Sequence, residues 1–155
     1  MRLALCHLSA FFLLSCTPVL ATPTRSHTVS FQLFPHRDLR FSGSPQPLYV
    51  RAGCEPAVDS CTTYDVRTNH GCQQIMASLD TAMPPHVALT VELEAPDKAF
   101  SMGEVPLSTS PRALVTNIRK TVGTGLMVVY RLHADAQARG VRRDYRTITY
   151  TLCDR

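Results

Sequence analysis

The sequence contains no tryptophan and only 7 glycines, and just two of its 16 basic residues are lysines. The scarcity of glycine excludes a collagen-like chain, and 45% hydrophobic residues with 18% charged residues exclude a wholly disordered one. The net charge of +4 is too small for a nucleic-acid-binding protein, so we expect no nucleic-acid partner. A length of 155 residues predicts about one domain.

The sequence patterns of common enzymes are missing as well. The chain has no G-x-S-x-G, no H-E-x-x-H and no glycine-rich phosphate-binding loop. No apolar run after residue 21 reaches the about 20 residues that a membrane-spanning helix needs. These absences favour a protein without catalytic activity, cofactor or bound metal, with a small secreted enzyme of unknown type as an alternative.

The first 21 residues predict a secretory signal peptide. A short basic start at Met1-Arg2 precedes an almost unbroken apolar run from Leu3 to Leu14, and we expect cleavage after Ala21. Residues 22–155 then form the mature domain, whose net charge is +3 because the leader removes one Arg and no acid. We expect a secreted, periplasmic or cell-surface location.

A second processing site competes with cleavage after Ala21. Leu13-Leu14-Ser15-Cys16 resembles the lipobox of bacterial lipoproteins, with Leu14 in place of the commoner small residue. Lipidation of Cys16 would anchor the protein in the cell envelope. Contact with a membrane is therefore expected only through the N-terminal segment.

Four cysteines remain after the leader, an even number that predicts two disulfides in an oxidising compartment. Three pairings are possible, and we favour Cys54–Cys61 together with Cys72–Cys153. The competing hypothesis is a zinc site formed by Cys54, Cys61, His70 and Cys72. The spacings C-x6-C and H-x-C differ from those of common structural zinc sites, so we favour the disulfides.

Alternation of apolar and polar side chains predicts short strands along the mature chain. The clearest run is 87–93, which places Leu89 and Val91 inside and Thr90 outside, where an Asp would be tolerated. The other predicted strands are 29–33, 48–50, 64–66, 75–79, 126–132 and 148–152, with weaker ones at 104–107 and 113–118. Turn residues such as Gly123-Thr124-Gly125 separate them. Eight or nine such strands predict an all-β, antiparallel, immunoglobulin-like β-sandwich.

Six segments of the second half of the chain form a further pattern: Ala77-Ser78-Leu79-Asp80, Met83-Pro84, Leu89-Thr90-Val91, Ala95-Pro96, Gly103 to Thr109 and Arg146 to Leu152. Over about residues 72–153, this pattern resembles a group of exported bacterial β-sandwich proteins. The resemblance implies the same fold and export from a bacterial cell. It implies no activity, because none of the six segments carries a catalytic motif.

Two small groups of polar residues are candidates for chemistry. His133 and Asp135 stand close together at the end of a predicted strand, where they would form an acid–base pair. Glu92 and Glu94 share the polar face of strand 87–93, and paired carboxylates can act on glycosidic bonds or bind calcium. Solvated surface residues are the commoner interpretation of both groups, so we assign no catalytic and no metal-binding residue.

Arg139, Arg142, Arg143 and Arg146 are the densest local concentration of charge, in a predicted hairpin connection. Clustered guanidinium groups bind phosphate, sulfate or carboxylate in a forked geometry. They predict an anion-binding patch for acidic polysaccharide or lipid head groups. The alternative is a solvated loop in which Asp144 pairs with one of the arginines.

These observations predict an exported cell-envelope protein with a binding or structural role, whose partner is another envelope protein or an acidic polysaccharide. A pilus or adhesin subunit is the leading alternative. In such a subunit, a strand containing Val29, Phe31 and Leu33 would be donated to a neighbour. Against that alternative, the pilin-like ending with tyrosine next to last is absent, because Tyr150 lies five residues before Arg155.

Overall fold

The described part of the protein, residues 29–140 and 143–155 of a computed structural model, contains nine β-strands and no helix. One compact unit runs from Leu33 to Arg155. Of the other unit, Met1–Gln32, only residues 29–32 are described, and they have no regular secondary structure. The predictions for the leader, including cleavage after Ala21 and lipidation of Cys16, lie outside the described residues.

The strands are β1 (Arg37–Ser42), β2 (Ala57–Thr68), β3 (Gln73–Leu79), β4 (Val87–Leu93), β5 (Phe100–Ser101), β6 (Val105–Pro106), β7 (Arg112–Ile118), β8 (Thr121–Ala134) and β9 (Ile148–Asp154). They form a five-stranded sheet in the order β1-β2-β8-β4-β6 and a four-stranded sheet in the order β5-β7-β3-β9. Every strand pair is antiparallel, and from β2 onward each successive strand lies in the other sheet. The predicted all-β class with antiparallel sheets is therefore confirmed.

The inner faces of the two sheets share one hydrophobic core. Burial alternates strictly along β3, and along β4 both Leu89 and Val91 are buried, as the alternation predicted. Burial of apolar side chains is the main force that holds the two layers together. The fully buried contributors include Tyr64, Val66, Val91, Leu93 and Val128 from one sheet and Ile75, Leu114, Val115 and Ile118 from the other.

The structure differs from the predicted strands in several places. Residues 29–33 and 48–50 are not strands, whereas β1 lies inside 34–47, where the alternation predicted no strand. The predicted break at Gly123-Thr124-Gly125 lies within β8, where the register with β2 shifts between Tyr64 and Val66. A β-bulge allows the glycines to stay in the strand. A Cβ on Gly123 would lie 2.8 Å from a methyl group of Leu126 and 3.0 Å from the Cβ of Pro96, so neighbouring side chains already fill the space beside this glycine.

Within residues 29–140 and 143–155, no helix is long and apolar enough to cross a membrane.

Candidate functional site

Five polar side chains meet on the outer face of the five-stranded sheet, and we call them the outer-face cluster. They are Thr90 and Glu92 of β4, Arg131 and His133 of β8, and Glu104, which directly precedes β6. The register of β4 and β8 places Thr90 opposite Arg131, so alternate residues of both strands point to the same side.

Glu104 is the centre of the outer-face cluster. The Thr90 hydroxyl donates to Glu104 Oε1 over 2.7 Å, and His133 Nε2 lies 2.9 Å from the same oxygen. Arg131 Nη1 lies 2.9 Å from Glu92 Oε2 and 3.5 Å from Glu104 Oε2. The hydrogen bond from Thr90 lowers the pKa of Glu104 most, followed by that from His133, and the charge of Arg131 adds to the effect.

The cluster braces three segments rather than presenting a nucleophile. A hydroxyl bonded to a carboxylate is one requirement for nucleophilic catalysis. Thr90 is, however, only 7% exposed, and a lowered pKa makes Glu104 a weaker base. Glu104 is instead held against β4 by the hydrogen bond from Thr90 and against β8 by Arg131 and His133. It lies next to a β6 strand that pairs with β4 through only two residues.

The predicted pair of His133 and Asp135 does not form. His133 binds Glu104, and Asp135, which follows the last residue of β8, binds His86 with 2.9 Å between Nδ1 and Oδ2. The amide of Asp135 also donates to the carbonyl of His86, which explains why these residues meet. The hydrogen bond from His86 lowers the pKa of Asp135.

Glu92 and Glu94 have separate partners in the structure. Glu92 binds Arg131, and Glu94 Oε2 accepts the backbone amide of Met127 over 2.9 Å. Between them lies a shallow depression of about 460 Å³ on the outer face. Its lining also includes Ser101, and its two carboxylates are already engaged with Arg131 and with the amide of Met127.

The described arginines of the predicted anion-binding patch differ in their surroundings. Arg139 and Arg143 are exposed, whereas Arg142 lies outside the described residues. Arg146 is occupied, because it binds Asp144 at 2.6 Å and donates to the carbonyl of Ala82 at 3.1 Å. This is the arrangement expected of a loop in which Asp144 pairs with one arginine, and the hydrogen bond from Arg146 lowers the pKa of Asp144.

The two predicted disulfides are not formed in the structure, where Cys54, Cys61, Cys72 and Cys153 are all free thiols. Cys153 lies on β9, and Cys72 directly precedes β3, the strand that pairs with β9. The register nevertheless places Cys153 opposite Gln74, so the two cysteines are diagonal neighbours. Diagonal neighbours in a sheet are about 7–8 Å apart, beyond the usual Cα separation of about 4.4–6.8 Å in a disulfide.

The cysteines of the zinc hypothesis lie in different surroundings. Cys54 and Cys61 are exposed on a turn and on β2, and Cys72 is half-buried beside β3. Across residues 29–140 and 143–155, no three His, Cys, Asp or Glu side chains converge in a way that would hold a metal ion.

The segment before β1 exposes large apolar side chains. Val29, Phe31 and Leu33 are 81%, 91% and 81% exposed, and the neighbouring Phe34 is exposed as well. Asn69, just after β2, holds the end of this segment. Its side-chain amide donates to the Phe34 carbonyl, and its side-chain oxygen accepts the amide of His36.

The sequence-based reasoning missed Glu104, Thr90 and His86 as members of polar groups. Glu104 sits in a short, weakly patterned stretch, and His86 precedes a strand. Their partners are far away along the chain, so only the strand register could have identified them.

No family model, no curated protein and no solved structure matches this chain.

Proposed function

We propose that the mature protein is an exported cell-envelope protein with a binding or structural role, and that it is not an enzyme. The proposal is carried by one observation, the exposed apolar side chains of residues 29–34. Large apolar groups that cluster at a surface mark sites of protein or membrane interaction, because water is a poor environment for them. The side chains of the outer-face cluster, by contrast, are engaged with one another.

The proposal includes the processing and the architecture expected from the sequence. Residues 1–21 are removed on export, with lipidation of Cys16 as the alternative. The two packed sheets are immunoglobulin-like in their layered arrangement, and the order in which the chain connects the strands is different. From β2 onward, successive strands alternate between the sheets here, whereas immunoglobulin domains contain several hairpins within one sheet.

A second candidate function is that of a subunit that assembles by strand donation. The alternation of Val29, Phe31 and Leu33 supports it, since these side chains are all exposed and would share one side of the segment in a strand. An acidic polysaccharide remains the second kind of partner, and the exposed Arg139 and Arg143 support it.

Two measurements on the full chain, expressed in a bacterium, test the proposed function. Cell fractionation and N-terminal sequencing should find an envelope protein that begins at Thr22, or a lipidated one that begins at Cys16. A photo-crosslinking amino acid at Phe31 should form adducts in the envelope fraction, whereas the same group at the exposed Gln46 should form few. An unprocessed chain in the cytoplasm, or equal crosslinking at both positions, would refute the proposal.

A further inference from the structure

We propose that the outer edge of β9 is a binding site for residues 29–34 of a second copy of this chain. The added segment would extend the four-stranded sheet by one strand, which is a common mode of peptide recognition. This inference rests on the proposed binding role and deepens it by naming both the surface and the partner.

The hydrogen-bond pattern shows which backbone groups of β9 face outward. At one end of the β3–β9 ladder, the Asp80 amide donates to the Thr147 carbonyl over 3.0 Å. At the other end, the Arg155 amide donates to the Cys72 carbonyl over 3.2 Å. The register between these ends has no shift, and alternate residues of an antiparallel strand bond to the same neighbour. The odd-numbered residues of β9 therefore bond to β3.

The even-numbered residues of β9 direct their amides and carbonyls away from β3. These residues are Ile148, Tyr150, Leu152 and Asp154. Within residues 29–140 and 143–155, no hydrogen bond to their amides is formed. Unpaired groups of this kind are a template for another strand.

The core is also less well covered beside β9 than beside β3. Ile148, Tyr150 and Leu152 have apolar side chains on the core side, yet all three remain only half-buried. Their direct partners on β3 are at most 4% exposed. β3 lies on one side of these residues, and Phe41 of β1 stacks on Tyr150 with 4.2 Å between the ring centroids. An added strand would cover the side of β9 that faces away from β3. The three partners on β3 are Leu79, Ala77 and Ile75 respectively.

The other sheet edges in the described part of the chain suit a new strand less well. β5 and β6 contain two residues each, and β6 includes Pro106, which has no amide to donate. β1 carries Arg37, Asp38 and Arg40. Charges and prolines are devices that protect edges from pairing. Residues 148–153 of β9 contain neither a charge nor a proline, so this edge is long and neutral.

Residues 29–34 match this edge in length and pattern. Six residues of extended chain span about 20 Å, close to the length of β9. Val29, Phe31 and Leu33 would continue the apolar inner face of the sheet, while Ser30 and Gln32 would lie on its polar outer side. The segment contains no charge and no proline, so neither repulsion nor a missing amide opposes pairing.

A second copy is the partner that explains why the segment is exposed in the single chain. Asn69 fixes the backbone around Phe34 and His36, while the apolar side chains that precede it stay in water. The identical edge of a neighbouring copy offers them cover. Donation in one direction gives a head-to-tail series, and reciprocal donation gives a closed dimer.

The first test measures association of the mature chain by light scattering over a range of concentrations. We expect the wild type to associate. Phe31→Asp, which would bury a charge in the added strand, should weaken association by about 100-fold. The matched control Gln32→Asp adds the same charge on the opposite side and should associate like the wild type. Both positions are exposed in the single chain, so equal melting temperatures are expected for the monomers.

The second test locates the contact by amide hydrogen exchange. The amides of Ile148, Tyr150 and Leu152 should be protected in the associated wild type and exchange rapidly in Phe31→Asp. A peptide with the sequence of residues 29–34, added to the Phe31→Asp chain, should restore their protection.

Three results would overturn the inference. The first is a wild type that stays monomeric at every concentration, even if its own chain protects the β9 amides from exchange. Another is an equal effect of Phe31→Asp and Gln32→Asp. The third is association whose protected amides lie outside β9. None of these results changes where the protein is exported, and each is compatible with Phe31 adducts to a different envelope protein, so the proposed function keeps its own test.

Discussion

Replacing Thr90 by Asp should destabilise the fold by about 2 kcal/mol, although the alternation along β4 predicts a tolerant, outward-facing position. Thr90 does face outward, but it is only 7% exposed because Glu104 and Arg131 cover it. A hydrogen bond to a charged group contributes about 1.5–3 kcal/mol. The Glu104 side chain is 39% exposed, so solvent screening reduces the loss of this bond to about 1 kcal/mol.

The new carboxylate adds a repulsive interaction with Glu104. Two charges about 4 Å apart repel by about 1 kcal/mol in water and by about 4 kcal/mol near a protein surface. Arg131, 3.5 Å from Glu104, offsets part of this repulsion, which leaves about 1 kcal/mol.

Urea denaturation at low protein concentration measures the effect. Thr149→Asp, the same substitution at an exposed position of β9, is the control and should change the free energy of unfolding by less than about 0.5 kcal/mol. In a double-mutant cycle, Glu104→Gln should recover about 1 kcal/mol in the Thr90→Asp background. Equal effects of Thr90→Asp and Thr149→Asp, or no coupling to Glu104, would show that the outer-face cluster does not brace the sheet.

Three further results are expected. Burial raises the pKa of Tyr150 above that of a free tyrosine, so the contribution of the neutral hydroxyl to stability is complete below about pH 10 and is lost at higher pH. A urea midpoint that stays constant from about pH 9 to 12 would contradict this. The hydrogen bond from the amide of Thr147 lowers the pKa of Asp80, so the Asp80 carboxylate contributes to stability above about pH 4 and loses this contribution as the pH falls further. Asp80→Asn should therefore make the free energy of unfolding less sensitive to acid, and an unchanged acid profile would refute this. Replacing Arg139 and Arg143 by Ser should reduce retention on heparin without lowering the melting temperature, and unchanged retention at 0.1 M salt would reduce the patch to a solvated loop.

The sequence alone predicted the elements in which one side of a strand meets the core. β3 and β4 are examples, because apolar residues at every second position can be buried only in an extended chain. The same reasoning failed for residues 29–33. Their alternation is as regular, but none of the strands in the described part of the chain pairs with them. Alternation indicates that a segment is suited to a sheet, and a partner edge must still be available.

Tertiary structure alone decided which residues meet. The neighbours of Glu104, the pairing of Asp135 with His86 in place of His133, and the offset between Cys72 and Cys153 all follow from strand order and register. A shift of one residue in register would change every one of these contacts while leaving the alternation of each strand intact. Local patterns therefore determined which face of each strand is buried. The polar contacts and the open edge of β9 depend on long-range pairing, in which every strand after β2 crosses to the other sheet.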